Sequence, residues 1–359
     1  MKTQLLYKTV CILFLIPAIV LSNNSLEGKY NKEKTIKKEY SVNSDALLKI
    51  DNSYGNINIS TYSGNKVSIV VTIKVSGNDE EKLQKKLDGI NVDFNASSSL
   101  VSAKTVFNNN KSWWNWGNNN VSMEINYVIK LPITNSVDLN NDYGGINLEK
   151  LEGRATISCD YGKITTKELM AENNVLSFDY TSDSYFEYIN TGKINADYSG
   201  FTVSKTKKLD INADYTKSVV EIAEDVNFNC DYGSIYINKL NNVTGNGDYL
   251  TMRLGEVYKN VNIKGDYGSL KIDQMTANAG NLTVQSDYLG ITIGYHPDYQ
   301  FNFDVNIEYG SMKNTSGFEF TKKNIESNTN YYRGYYGNSG SANLIKINSD
   351  YGSVTFKKN

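Results

Sequence analysis

Twelve tyrosines in one recurring frame constrain this chain more than any other feature of its 359 residues. The frame reads apolar-x-apolar-x-small-acidic-Tyr, often followed by Gly, as in VDLNNDYG ending at Gly144, ATISCDYG at Gly162, VNFNCDYG at Gly233 and VNIKGDYG at Gly268. Its tyrosines are Tyr54, Tyr143, Tyr161, Tyr180, Tyr198, Tyr215, Tyr232, Tyr249, Tyr267, Tyr288, Tyr309 and Tyr351. From Tyr143 the steps are 18, 19, 18, 17, 17, 17, 18, 21, 21 and 42 residues. The last equals two steps of 21, and its midpoint falls in NYYRGYYG, read here as a degenerate copy. A repeat of fixed period sets architecture before any single residue is read.

The period inside each copy is two. Four residues before the tyrosine, eleven of twelve positions are apolar, Gly245 being the exception. Two before it the residues are mostly small, among them Cys159, Ala196, Ala213, Cys230 and Gly247. Alternate strand residues share a face, so this pattern predicts an inward-facing tyrosine. A second short run follows each corner, such as GKITT, GSIYI and GSLKI. Two short strands per copy bury a face only by stacking on neighbouring copies at about 4.8 Å. The expected fold is therefore all-β: a parallel β-solenoid (β-helix) with 17–21-residue coils and an inward tyrosine ladder. A β-sandwich with coincidental spacing is the alternative.

Residues 1–22 read as a secretory signal: Lys2 and Lys8, an apolar stretch Val10 to Leu21, and cleavage after Ser22. The stretch is short of the ~20 residues that span a bilayer. The rest of the chain carries no transmembrane candidate, so the protein is expected in the periplasm or at the cell surface. Without residues 1–22 the chain has 35 basic and 39 acidic residues, and no basic block suits nucleic acid. Cys159 and Cys230 occupy the same frame position four copies apart, about 19 Å along a stack, so both are predicted to be buried free thiols.

Residues 23–132 form the expected N-terminal unit, and 133–359 the repeat. In the former, NDEEKLQKKLDG reads as one helix with Asn78 as N-cap and Gly89 at its end, followed by strands INVDF, LVSAKTVF and VSMEINYVIKL. This small α+β insertion is expected to cap the stack, whose open edge would otherwise invite aggregation. LLKIDNSYGNINIS, the helix-bearing insertion and VIKLPITNSVDLNNDYGGINLEKLEG together resemble the bacterial putative-adhesin family of exported β-solenoid domains. Gly145-Ile146-Asn147 is similar to the GIN element of the auto-transporter adhesin head domain. The resemblance covers nearly all of the chain after the signal. It implies architecture and an envelope address, and carries no catalytic residues. The Asp-Tyr before the corner glycine and a tryptophan-rich loop depart from the family pattern.

Three places are candidate sites. The acidic residue before every tyrosine but Tyr54, where Ser53 stands, forms a column that includes Asp214, Asp231, Asp248 and Asp266. Stacked carboxylates could gather Ca²⁺; the simpler reading is a corner in which each accepts a backbone N–H of the following turn. NNNKSWWNWGNNN holds all three tryptophans, Trp113, Trp114 and Trp116. Exposed indoles suit a glycan or protein partner; folded back, they would plug the cap. Tyr331, Tyr332, Arg333, Tyr335 and Tyr336 form either a second aromatic surface or a distorted repeat. Catalysis has little support, because His296 is the one histidine and no nucleophile–base pair is evident. The expected function is a non-enzymatic, adhesin-like binding or structural protein of the cell envelope. The alternatives are a structural or sensory protein with a protein partner, or a carbohydrate-active β-helix enzyme using the acidic column.

Overall fold

The computed structural model describes residues 28–108 and 121–359. Among them are 27 strands and one helix, joined in a large, mostly parallel sheet that does not close into a barrel. Strands Ser184–Asp197, Gly200–Asn212, Lys217–Asn229 and Ser234–Asn246 each pair parallel with the next. Equivalent frame positions lie over one another: Ile194 opposite Ile211, Ile211 opposite Phe228, Phe228 opposite Gly245. The apolar columns two, four and six residues before the tyrosine are buried as the alternation predicts, and they form the core. Gly245 breaks its column for a packing reason. The Phe228 ring fills the space where a Cβ would stand, its Cζ only 2.0 Å from that position.

The first copy joins the row across a long insertion. Leu47–Ser53 pairs parallel with Ser136–Asp142, placing Ile50 opposite Leu139. The insertion folds beside them. Leu100–Phe107 pairs parallel with Leu47–Ser53 and antiparallel with Ile90–Ala96. Lys66–Gly77 lies antiparallel between Tyr30–Ser41 and Ser122–Pro132. The helix spans Glu80–Asp88 and buries Leu83 and Leu87. Its N-cap is Asp79, not Asn78: the Asp79 carboxylate accepts from Lys82 N–H at 3.1 Å. Asn78 is occupied elsewhere, its Oδ1 accepting from Lys29 N–H at 3.0 Å.

The C-terminal end departs from the expected order. Phe318–Ile325 and Thr329–Tyr336 form an antiparallel hairpin, and the second strand runs antiparallel to Phe301–Glu308. No degenerate copy stands there. Instead Leu344–Asp350 pairs parallel on both edges, with Leu282–Asp287 on one side and Phe301–Glu308 on the other. The last copy in sequence is thus inserted between two earlier ones.

Candidate binding ridge

The tyrosines face outward. All twelve have φ between 49° and 63°, the left-handed region, and their exposure ranges from 41% to 54%. Strand alternation would have sent each ring inward, but the corner begins at the tyrosine itself. A left-handed residue there reverses the direction of its side chain. The expected inward ladder is therefore corrected to an outward one. An L-residue in this conformation costs about 1–2 kcal/mol, and for a bulky side chain it is a true outlier.

Two interactions per copy offset that cost. Each ring stacks on the next, giving a row in the order Tyr54, Tyr143, Tyr161, Tyr180, Tyr198, Tyr215, Tyr232, Tyr249, Tyr267, Tyr288, Tyr351, Tyr309. Centroids are 4.5 to 5.3 Å apart and planes agree within 8°. A stacked pair contributes about 0.5–1.5 kcal/mol. Every tyrosine N–H except that of Tyr309 also donates to the carbonyl of the neighbouring acidic residue, as Tyr161 does to Asp179 at 3.1 Å and Tyr232 to Asp248 at 3.0 Å. At strand spacing the row is roughly 50 Å long. Burial of the phenol edges, and then the neighbouring phenols, push Tyr161, Tyr267 and Tyr351 above the ordinary tyrosine range.

The acidic column does the work of a missing backbone acceptor. Asp160 Oδ1 accepts the N–H of Asp179, Asp214 that of Asp231, Asp231 that of Asp248, Asp248 that of Asp266, and Asp266 that of Asp287, all at 2.8 to 3.1 Å. The partner is the equivalent residue of the next copy rather than the turn that follows. Among the described residues, no group of three or more His, Cys, Asp or Glu side chains could hold a metal ion. Burial, followed by the charges of Asp160 and Asp51, raises Asp142 above the usual carboxylate range.

Beside the ridge lies an open groove of about 520 Å³. One wall is an amide row three residues before the tyrosines: Asn246 Nδ2 donates to Asn229 Oδ1 at 2.9 Å, and Asn229 to Asn212 at 3.4 Å. The other wall, two residues further back, includes Asp210, Asn227 and Thr244, with Asn227 Nδ2 donating to Asp210 Oδ1 at 2.8 Å. Register places Lys193 at one end and Lys264 at the other.

The remaining sequence candidates fall outside this ridge. Trp113, Trp114 and Trp116 lie outside the described residues. Tyr332 and Tyr336 are buried, and Tyr336 donates to the Pro297 carbonyl at 3.2 Å, so that segment is a packed strand of the hairpin. His296 Nδ1 accepts from the Asp298 N–H at 3.1 Å within its own corner. Cys159 and Cys230 are buried free thiols, as expected, and burial pushes both up to about 12. The exposed tyrosine row itself was missed in the sequence. Its signal was the acidic residue before every tyrosine but Tyr54 and the glycine after most of them, both corner residues, which place the tyrosine inside the turn.

No protein-family model matches the sequence, and no curated protein does either. Solved structures that match include a putative cell adhesion protein from Clostridium sporogenes, 15% identical, covering 91% of this chain and 100% of its own, with a TM-score of 0.19. A putative adhesin from Parabacteroides merdae is 11% identical over 90% of this chain and 97% of its own, with a TM-score of 0.32. A putative lipid binding protein from Parabacteroides distasonis gives 11%, 90%, 97% and 0.34 respectively. These similarities are too low to assign a function.

Proposed function

We propose that this chain is an exported, adhesin-like protein of the bacterial envelope that binds without catalysing a reaction. In this reading residues 133–359 form a parallel β-solenoid, residues 23–132 cap it, and the outward tyrosine row is the contact surface. The observation that carries the proposal is the repeated left-handed tyrosine. Glycine or asparagine would adopt that backbone at lower cost. Strain repeated in every copy of a surface feature points to function rather than to folding alone. A continuous exposed aromatic row is also the kind of surface that marks a contact. The acidic column supports the non-catalytic part, since its carboxylates are engaged as backbone acceptors along most of the row. No helix among the described residues is long and apolar enough to cross a membrane.

The test is co-sedimentation of the purified protein with bacterial envelope fragments, beside a variant carrying Tyr215→Asn, Tyr232→Asn and Tyr249→Asn. Asparagine tolerates the left-handed corner, so the variant removes rings while keeping the backbone. Binding that falls at least tenfold in the folded variant supports the ridge. Equal binding by both proteins moves the contact away from it.

A further inference from the structure

We propose that the groove beside the ridge seats a linear, uncharged polysaccharide, its chain running along the copies with its hydroxyls shared between the amide row and the opposite wall of Asn227 and Thr244. This inference rests on the adhesive reading above and names its ligand.

Three properties select that chemistry. The first is repetition. Asn212, Asn229 and Asn246 stand in register, as do Tyr215, Tyr232 and Tyr249, one strand spacing of about 4.8 Å apart. Equivalent groups repeated along a line suit a ligand that is itself a linear repeat. The second is the kind of group offered. Each amide uses at most one N–H and one lone pair within its row and keeps others for a partner. Thr244 and Asn227 add donors and acceptors on the far wall. Hydroxyl-rich ligands need both donors and acceptors. The third is preorganisation: the amide row is hydrogen-bonded and the rings are stacked, so little side-chain freedom is lost on binding.

Competing occupants fit less well. A peptide strand adding to the sheet needs free backbone groups, but beside the groove the Tyr215, Tyr232 and Tyr249 N–H groups are already bonded to carbonyls in the neighbouring copy. Flat ring-on-ring docking needs free ring faces, and the faces of interior tyrosines are taken by their neighbours. A second copy seated ridge to ridge would bring two acidic columns together. An anionic polymer would meet the same column, which no Lys or Arg pairs with among the described residues.

The test is calorimetric titration of the purified protein with cellohexaose, laminarihexaose and chitohexaose, with their disaccharides for length dependence and a polygalacturonate oligomer as the anionic probe. The expected result is binding of at least one neutral hexasaccharide, weaker for its disaccharide, with the anionic oligomer excluded. Affinity should fall at least tenfold in Asn212→Ala/Asn229→Ala/Asn246→Ala. The single change Asn229→Asp, which keeps volume, should weaken binding as well and serves if the triple variant does not fold. Binding unchanged in the folded groove variants overturns the proposal. So does silence toward all neutral hexasaccharides by a protein that still sediments with envelopes, a result that leaves the adhesive reading standing.

Discussion

The ring of Tyr351 stacks on that of Tyr288 at 4.5 Å, although the Tyr309 copy lies between them in sequence. Tyr351 then stacks on Tyr309 at 4.6 Å, so the last copy closes a slot left open by the chain before it. Backbone bonds agree: Tyr288 N–H donates to Asp350 at 2.7 Å, and Tyr351 N–H to Glu308 at 2.8 Å.

Deleting residues 338–359 should therefore cost more than the loss of a terminal copy. Two strands, Leu282–Asp287 and Phe301–Glu308, lose a shared partner at once. Hydrogen exchange should show lost protection in both, with the copies around Tyr161 to Tyr215 still protected. Retained protection at Phe301–Glu308 would contradict the insertion.

At Tyr232, φ is 53° and the ring stacks on both neighbours at 4.9 Å. Tyr232→Asn relieves backbone strain while losing two stacks, and should change stability by only about 1 kcal/mol. Tyr232→Val loses the stacks and puts a β-branched side chain in the left-handed region, so it should cost more than about 2 kcal/mol. Urea unfolding distinguishes the two.

Asp231 Oδ1 accepts the Asp248 N–H at 2.8 Å. Asp231→Asn keeps an oxygen there and should leave stability nearly unchanged. Asp231→Ala should cost about 1 kcal/mol or more, the worth of a hydrogen bond removed from one side. Adding Ca²⁺ should shift the melting of neither protein. A clear upward shift in the wild type alone would revive the cation reading of the column.

Phenol ionisation should begin late at three ridge positions. Tyr161, Tyr267 and Tyr351 are raised in the folded protein, so their contribution to stability is fully present below the ordinary tyrosine pKa of about 10. It is lost as pH rises through the folded values. Tyrosinate absorbance should thus lag behind that of the denatured chain, and alkaline solution should loosen the row. Coincident titration curves would refute this.

Cys159 and Cys230 should resist thiol reagents at pH 8 in the native protein, since burial pushes both thiols up to about 12. Both should react promptly in denaturant. Fast native labelling of either would mean that its copy opens.

Much of this architecture was legible because the burial columns are periodic. Ile157, Ile194 and Ile211 sit in the core where alternation placed them, and the cysteine position was readable as small and buried. The direction of the tyrosines was not, since alternation holds only while the backbone stays extended and fails at the first left-handed residue. The 42-residue step was compatible with two topologies, a degenerate copy or a hairpin followed by insertion, and spacing alone does not separate them. The amide row was hidden for a different reason. Asn212, Asn229 and Asn246 look like ordinary strand exteriors until register aligns them.

Phe107 meets the outer side of Tyr54 edge-on, with planes at 82°. At the opposite end the Tyr309 N–H donates to Asn328 C=O at 2.8 Å, and Asn328 Nδ2 donates to the phenol oxygen at 3.3 Å. Among the described residues, both ends of the row therefore meet groups from outside the repeat. The row behaves as a ruler: its reach is written in the number of copies the chain carries, one strand spacing of about 4.8 Å for each.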